Sequence, residues 1–207
     1  MIISLEDLGK KFVNQWIFKG LDYTIQVGRP VAITGPNGSG KSTLLKIISG
    51  WMLPSQGVLS YYVDEKKVIN DHFFKYIDYV APYVEMIEEL TLAESIKFHF
   101  SHKRISDDLD IDAFLERVYL ENNKHKYLRN FSSGMKQRLK LGLGFFSQSP
   151  ILLLDEPMTN LDSTGKSWYL DQISRLVTEK LIIIASNQSE EYSFVKDIIS
   201  ISDYTHV

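Results

Sequence analysis

An α/β fold with a mostly parallel sheet is predicted by three features of this 207-residue chain. Short apolar runs (Val31-Ala32-Ile33, residues 151–154 and Leu181–Ala185) alternate with helical patterns, which is how strands buried on both faces of a parallel sheet read. A glycine-rich turn joins the first of these runs to a helix. Around that core stand a strand-rich N-terminal zone, up to about residue 80, and a helical zone from about 85 to 148.

Residues 2–5 and 23–27 alternate as half-buried strands do. Gly28-Arg29-Pro30 punctuates before the buried strand Val31–Thr34, and Gly50 is a stop for the helix carrying Leu44, Leu45, Ile47 and Ile48. Pro54-Ser55-Gln56-Gly57 turns into a strand at 58–63, and a further strand is expected at 77–81. Thr91 with Glu94 makes a capping box for a helix over 92–100. Ile111, Phe114, Leu115 and Val118 share one face of a helix over 110–120. A helix over 139–148 runs into the strand at 151–154, a helix over 164–178 leads to Leu181–Ala185, and a strand at 198–201 closes the sheet. The charged residues from His102 to Asp112 read as a solvated loop and helix start.

Composition narrows the class without naming a function. Hydrophobic residues make up 44% and charged residues 24%, ordinary for one globular domain. A net charge of −3 provides no overall positive field, so no nucleic-acid partner is expected. The absence of cysteine excludes disulfides and thiolate metal sites and fits a reducing compartment. MIISLEDLGKKF has no signal-peptide layout, and the apolar runs are far too short to cross a bilayer.

The turn Gly35-Pro36-Asn37-Gly38-Ser39-Gly40-Lys41-Ser42-Thr43 carries the clearest chemistry. Glycines let backbone N–H groups converge on phosphate oxygens, and the helix that follows adds unpaired donors and a positive dipole end. In this pattern Lys41 reaches the β- and γ-phosphates and the Ser42 hydroxyl ligates Mg²⁺, so a nucleoside triphosphate site is expected. The run Ile151-Leu152-Leu153-Leu154-Asp155-Glu156 adds two acids at a strand's carboxyl end, where α/β sheets place ligands. Asp155 is the expected partner of Mg²⁺ beyond its direct ligands or through water, and Glu156 the acid that polarises an attacking water. Ser132-Ser133-Gly134-Met135 opens another helix, with Ser132 as its cap and a second anion-binding terminus.

In this order the three motifs resemble the nucleotide-binding domain of ABC transporters over nearly the whole chain. FSSGM, residues 131–135, stands where that family has LSGGQ, with Met135 in place of the glutamine. The resemblance implies a P-loop NTPase core, an N-terminal antiparallel β lobe and an inserted α-helical subdomain. Residues 1–84 and 149–207 then form the core with its β lobe, and residues 85–148 the helical subdomain of a single domain. It also implies ATP and Mg²⁺ as cofactors and a head-to-tail homodimer, in which Ser132, Ser133, Gly134 and Met135 of one subunit cover ATP held by the other. Asp162, in Asn160-Leu161-Asp162, would touch the second subunit, and Phe12, with Trp16 as its rival, would stack on adenine. An integral membrane permease would hold the protein at the inner face of the cell membrane. SSGMKQR and the short C-terminus resemble export-type cassettes, including the haem exporter.

Two positions depart from the family. Counting nine residues back from Thr91 to the usual glutamine lands on Pro82, which cannot hold Mg²⁺ or water. At the end of Leu181–Ala185, where the family has a histidine on the γ-phosphate, the chain reads Ser186-Asn187-Gln188, placing Asn187 there with Gln188 as the alternative. None of His72, His99, His102, His125 and His206 is expected near this strand end. The readings left open are a hydrolysing transporter subunit, a nucleotide-gated dimerisation module with slow or no hydrolysis, and a cytosolic cassette ATPase outside transport.

Overall fold

The computed structural model describes residues 1–68, 73, 75–106 and 109–205. Its strands are β1 (Ile2–Phe12), β2 (Gln15–Gln26), β3 (Val31–Thr34), β4 (Gln56–Val63), β5 (Lys66–Lys67), β6 (Ile77–Val80), β7 (Ile151–Asp155), β8 (Leu181–Ala185) and β9 (Asp197–Ser200). The α-helices are α1 (Lys41–Ile48), α2 (Leu92–His102), α3 (Ile111–Arg117), α4 (Ser133–Phe145) and α5 (Ser163–Leu176). An antiparallel sheet runs β2-β1-β4-β5, and a parallel sheet runs β6-β7-β8-β3-β9.

Strand periodicity divides the core between the two faces of the parallel sheet. Leu152, Leu154, Ile182 and Ile184 turn toward the helical side, where they join Leu139, Leu141, Phe145, Trp168 and Tyr169. Ile151, Leu153, Leu181 and Ile183 turn the other way, onto Leu44, Leu45 and Ile48 of α1 and the β lobe's Ile3, Phe18 and Ile25. Both sets are sealed from solvent, which is why β7 and β8 read as continuous apolar runs.

The helix termini follow the capping chemistry of the sequence. The Thr91 side chain accepts the Glu94 N–H while Glu94 accepts the Thr91 N–H at 2.8 Å, closing the capping box of α2. Asp110 caps α3 through the Ala113 N–H at 2.8 Å, and Asp162 caps α5 through the Gly165 N–H at 2.7 Å.

Three segments differ from the sequence expectation. β1 and β2 extend into one long hairpin through residues 6–12 and 15–22, because exposed Val13 takes the left-handed conformation (φ 54°) that the turn needs. The stretch expected as a separate helix over 139–148 is part of α4, which the Ser132 cap starts at Ser133 by accepting the Met135 N–H at 3.2 Å and which ends at Phe145. Lys103 is not part of a solvated charge cluster: it forms a 3.2 Å ion pair with buried Asp78 and donates to Ser149 Oγ. Residues 107 and 108 of that cluster lie outside the described residues.

Candidate nucleotide site

Register places the chemistry at one edge of the parallel sheet. Asp155 at the end of β7 pairs with Ala185 of β8, which pairs with Ile33 of β3, so three carboxyl ends lie level. The glycine-rich turn leaves β3 at this level, the acids leave β7, and Ser186-Asn187 leaves β8. This is where an open parallel sheet binds ligands.

Left-handed backbone builds the phosphate loop. Gly35, Gly38 and Gly40 have φ of 146°, 78° and 108°. A Cβ on Gly40 would also stand 2.4 Å from Ile17 Cγ2. The N-terminus of α1 has no side-chain cap and no acid in its first turn, leaving its N–H donors for an anion. The Ser39 hydroxyl is buried without a hydrogen-bond partner among the described residues. Lys41 is 5% exposed and folds back over the loop, donating to the carbonyls of Gly35 at 2.8 Å and Pro36 at 3.1 Å.

Phe12, Ile17, Asn37, Gly38, Gly40, Lys41, Ser42, Thr43 and Glu156 line one cavity of about 350 Å³. Phe12 is half exposed on its rim. Trp16 is not in that lining; its ring sits between the Lys11 and Lys19 ammoniums at 5.4 and 5.1 Å. Glu156 takes a left-handed φ of 44° and ties its N–H to the Ala185 carbonyl at 2.9 Å, which turns its side chain away from β7's ladder into the cavity. A bulky residue in that conformation is strained, as side chains at working sites often are. Asn187 Nδ2 donates to Asn37 Oδ1 at 3.0 Å, so the amide reaches the phosphate loop itself. Neither Asn187 nor Gln188 lines the cavity itself. Of the histidines, His99 and His102 belong to α2 and His125 is exposed, while His72 and His206 lie outside the described residues.

Asp155 is buried, and its carboxylate accepts from Tyr83 Oη at 2.9 Å and Tyr79 Oη at 3.4 Å. Burial first, and then the Asp155 charge, push the Tyr83 phenol up to about 12, so it stays protonated. Pro82 contributes only backbone: its carbonyl and those of Ala81 and Val84 accept from Lys140 Nζ of α4 at 3.1, 2.8 and 3.4 Å. Sequence reading missed Tyr79, Tyr83 and Lys140. The available signal was two tyrosines flanking the end of the strand predicted at 77–81, but nothing local says that this strand lies beside Asp155.

Ser132, Ser133, Gly134, Met135 and Asp162 do not enter this cavity. With Tyr119, Arg138, Asn160 and Leu161 they line a second concavity, which has no residue in common with the first. Gly134 lets the N-terminus of α4 pass the loop after β7, since a Cβ there would stand 2.8 Å from the Asn160 carbonyl oxygen. Asp162, besides capping α5, accepts from Arg138 at 3.4 Å and leaves 74% of its side chain exposed.

A family model described as ABC transporter matches residues 18–159, spanning the phosphate loop, Ser132 to Met135 and the acids after β7. The chain belongs to the ABC transporter family. It is 30% identical over 203 residues to the uncharacterized ABC transporter ATP-binding protein YybJ of Bacillus subtilis (strain 168), covering 98% of this chain and 90% of that protein. It is also 30% identical to the sulfate/thiosulfate import ATP-binding protein CysA of Mesostigma viride, covering 96% of this chain but 59% of that one. Among solved structures, the dimeric post-hydrolysis state of the ATP-binding cassette MJ0796 bound to ADP and Pi shares the fold, with a TM-score of 0.80 and 24% identity over 96% of this chain and 93% of that chain. The chain is therefore an ATP-binding, ATP-hydrolysing subunit of this family. These comparisons do not distinguish import from export for this chain. Among the described residues, no helix is long and apolar enough to cross a membrane.

Proposed function

We propose that this ABC ATPase works as a head-to-tail dimer around two Mg-ATP molecules and drives an integral membrane permease from the cytoplasmic face of the membrane. The observation that carries this reading is the separation of two incomplete half-sites on one chain. Phosphate donors line one concavity, and Ser132, Ser133 and Gly134 at a helix N-terminus line another. A second copy supplies to each what the first lacks.

In the bound state the Lys41 ammonium exchanges its neutral carbonyl partners for β- and γ-phosphate oxygens, a charge-assisted and stronger pairing. Ser39, now unpartnered, and the free N–H groups of α1 complete the cradle. Phe12 stacks on the adenine. Ser42 in the cavity and Asp155, held by Tyr83, would offer oxygen donors of the kind Mg²⁺ takes. Among the described residues no group of three or more His, Cys, Asp or Glu could hold a metal, so Mg²⁺ here would draw its other ligands from phosphate and water. When bound, Mg²⁺ neutralises charge on the phosphates. Glu156 orients the attacking water and takes its proton, and Asn187 donates to the γ-phosphate.

Glu156→Gln tests the reading. The variant keeps ATP binding but stalls before hydrolysis, so ATP holds a dimer visible by gel filtration. Hydrolysis at the wild-type rate would overturn the role given to Glu156. A second reading, nucleotide-gated dimerisation with slow turnover, is favoured by the neutral Asn187 amide where a histidine would add charge.

A further inference from the structure

We propose that Tyr83, backed by Tyr79, is the positioning residue that sets Asp155 for Mg²⁺, supplying from the next residue what Pro82 lacks. This rests on the Mg-ATP reading above and adds a residue to it.

A phenol has one proton to donate and an oxygen that accepts two bonds. Tyr83 gives its proton to Asp155 Oδ2 at 2.9 Å, and its oxygen is in hydrogen-bonding contact with the Tyr79 hydroxyl. The carboxylate that the motifs assign to the cation is thus held from a loop beside it. The loop is held as well. Lys140 binds three of its carbonyls, the Lys46 ammonium lies 4.5 Å over the Tyr83 ring, and the Tyr79 ring meets Tyr83 edge-on at 6.4 Å. A phenol that only filled space would not need its hydroxyl aimed at a buried carboxylate. Groups that orient a metal's ligands without binding the metal typically govern its affinity by about 10- to 100-fold.

The experiment measures Mn²⁺ affinity by electron paramagnetic resonance with a non-hydrolysable ATP analogue, and analogue affinity in EDTA by calorimetry. Tyr83→Phe keeps the ring, which is 45% exposed, so the fold is retained. The expected result is Mn²⁺ affinity about tenfold weaker in Tyr83→Phe, a smaller loss in Tyr79→Phe, and metal-free analogue binding unchanged in both. Tyr83→Gln, which restores a donor to Asp155, should recover part of the loss. Wild-type Mn²⁺ affinity in Tyr83→Phe with nucleotide bound would overturn this inference alone. Weaker analogue binding in EDTA would show a merely structural role and overturn it too. Failure of the wild-type chain to bind the analogue at all would overturn the nucleotide reading beneath it.

Discussion

Asn187 and Glu191 show how single side chains set the behaviour of the site. Asn187 can aim a neutral N–H at the phosphate loop, as its 3.0 Å bond to Asn37 shows, but cannot bring charge. Asn187→His places a stronger donor against developing γ-phosphate charge, and one stronger hydrogen bond of about 1–2 kcal/mol corresponds to a roughly five- to thirtyfold faster steady-state ATPase. A slower rate would mean that the pocket is built around asparagine. Glu191 is sealed behind this strand end and accepts the Met158 N–H at 2.8 Å. Burial, more than the nearby Glu156 charge, raises its pKa, outweighing the Met158 hydrogen bond that lowers it. The folded chain therefore holds this proton more tightly than the unfolded chain, and Glu191's contribution to stability falls as pH rises above its ordinary range near 4.5. Glu191→Gln should accordingly gain melting temperature over the wild type at pH 8 and lose that advantage toward pH 5, read by calorimetry at both pH values.

At the scale of elements, α4 links most parts of the site. Its N-terminus presents Ser133 and Gly134, Lys140 holds the loop bearing Tyr83, and buried Gln137 donates to the Pro157 carbonyl beyond Glu156 at 2.8 Å. α4 lies tight against α3 because Gly142 has no side chain. A Cβ there would stand 2.3 Å from Val118 Cγ1 and 3.2 Å from Phe114 Cζ. Gly142→Ala gains about 1 kcal/mol of helix propensity but overpacks a rigid β-branched neighbour at about 1–3 kcal/mol. A net fall of a few degrees in melting temperature is expected for a chain of this size. An unchanged or higher value would show that α3 can yield.

At the scale of the whole molecule, the two concavities make the dimer testable by complementation. Ser133→Arg should leave ATP binding by the monomer intact and block dimerisation. Lys41→Ala should cost ATP at least about tenfold in affinity, since it removes a charge-assisted contact of about 1.5–3 kcal/mol. Mixed, the two variants retain one complete site per heterodimer, so ATPase activity absent from either alone should return. Loss of monomer ATP binding in Ser133→Arg would sink the composite site.

Chemistry held in contiguous residues was legible before any fold was known. The phosphate loop, the acids after β7 and the caps of α2 and α4 are local, because glycine conformations, capping hydroxyls and apolar runs act within a few residues of one another. The departures at Pro82 and Asn187 stand out only against the pattern of the family the chain resembles. What spacing could not show was which strands are neighbours. β6 lies beside β7 because of pairing between residues more than seventy positions apart in the chain, and that pairing brings Tyr79 and Tyr83 onto Asp155. The long β1–β2 hairpin likewise carries Phe12, and not Trp16, to the rim of the phosphate cavity. Backbone ladders and packed faces join segments without regard to their separation in sequence, so the two tyrosines at Asp155 became visible only in three dimensions.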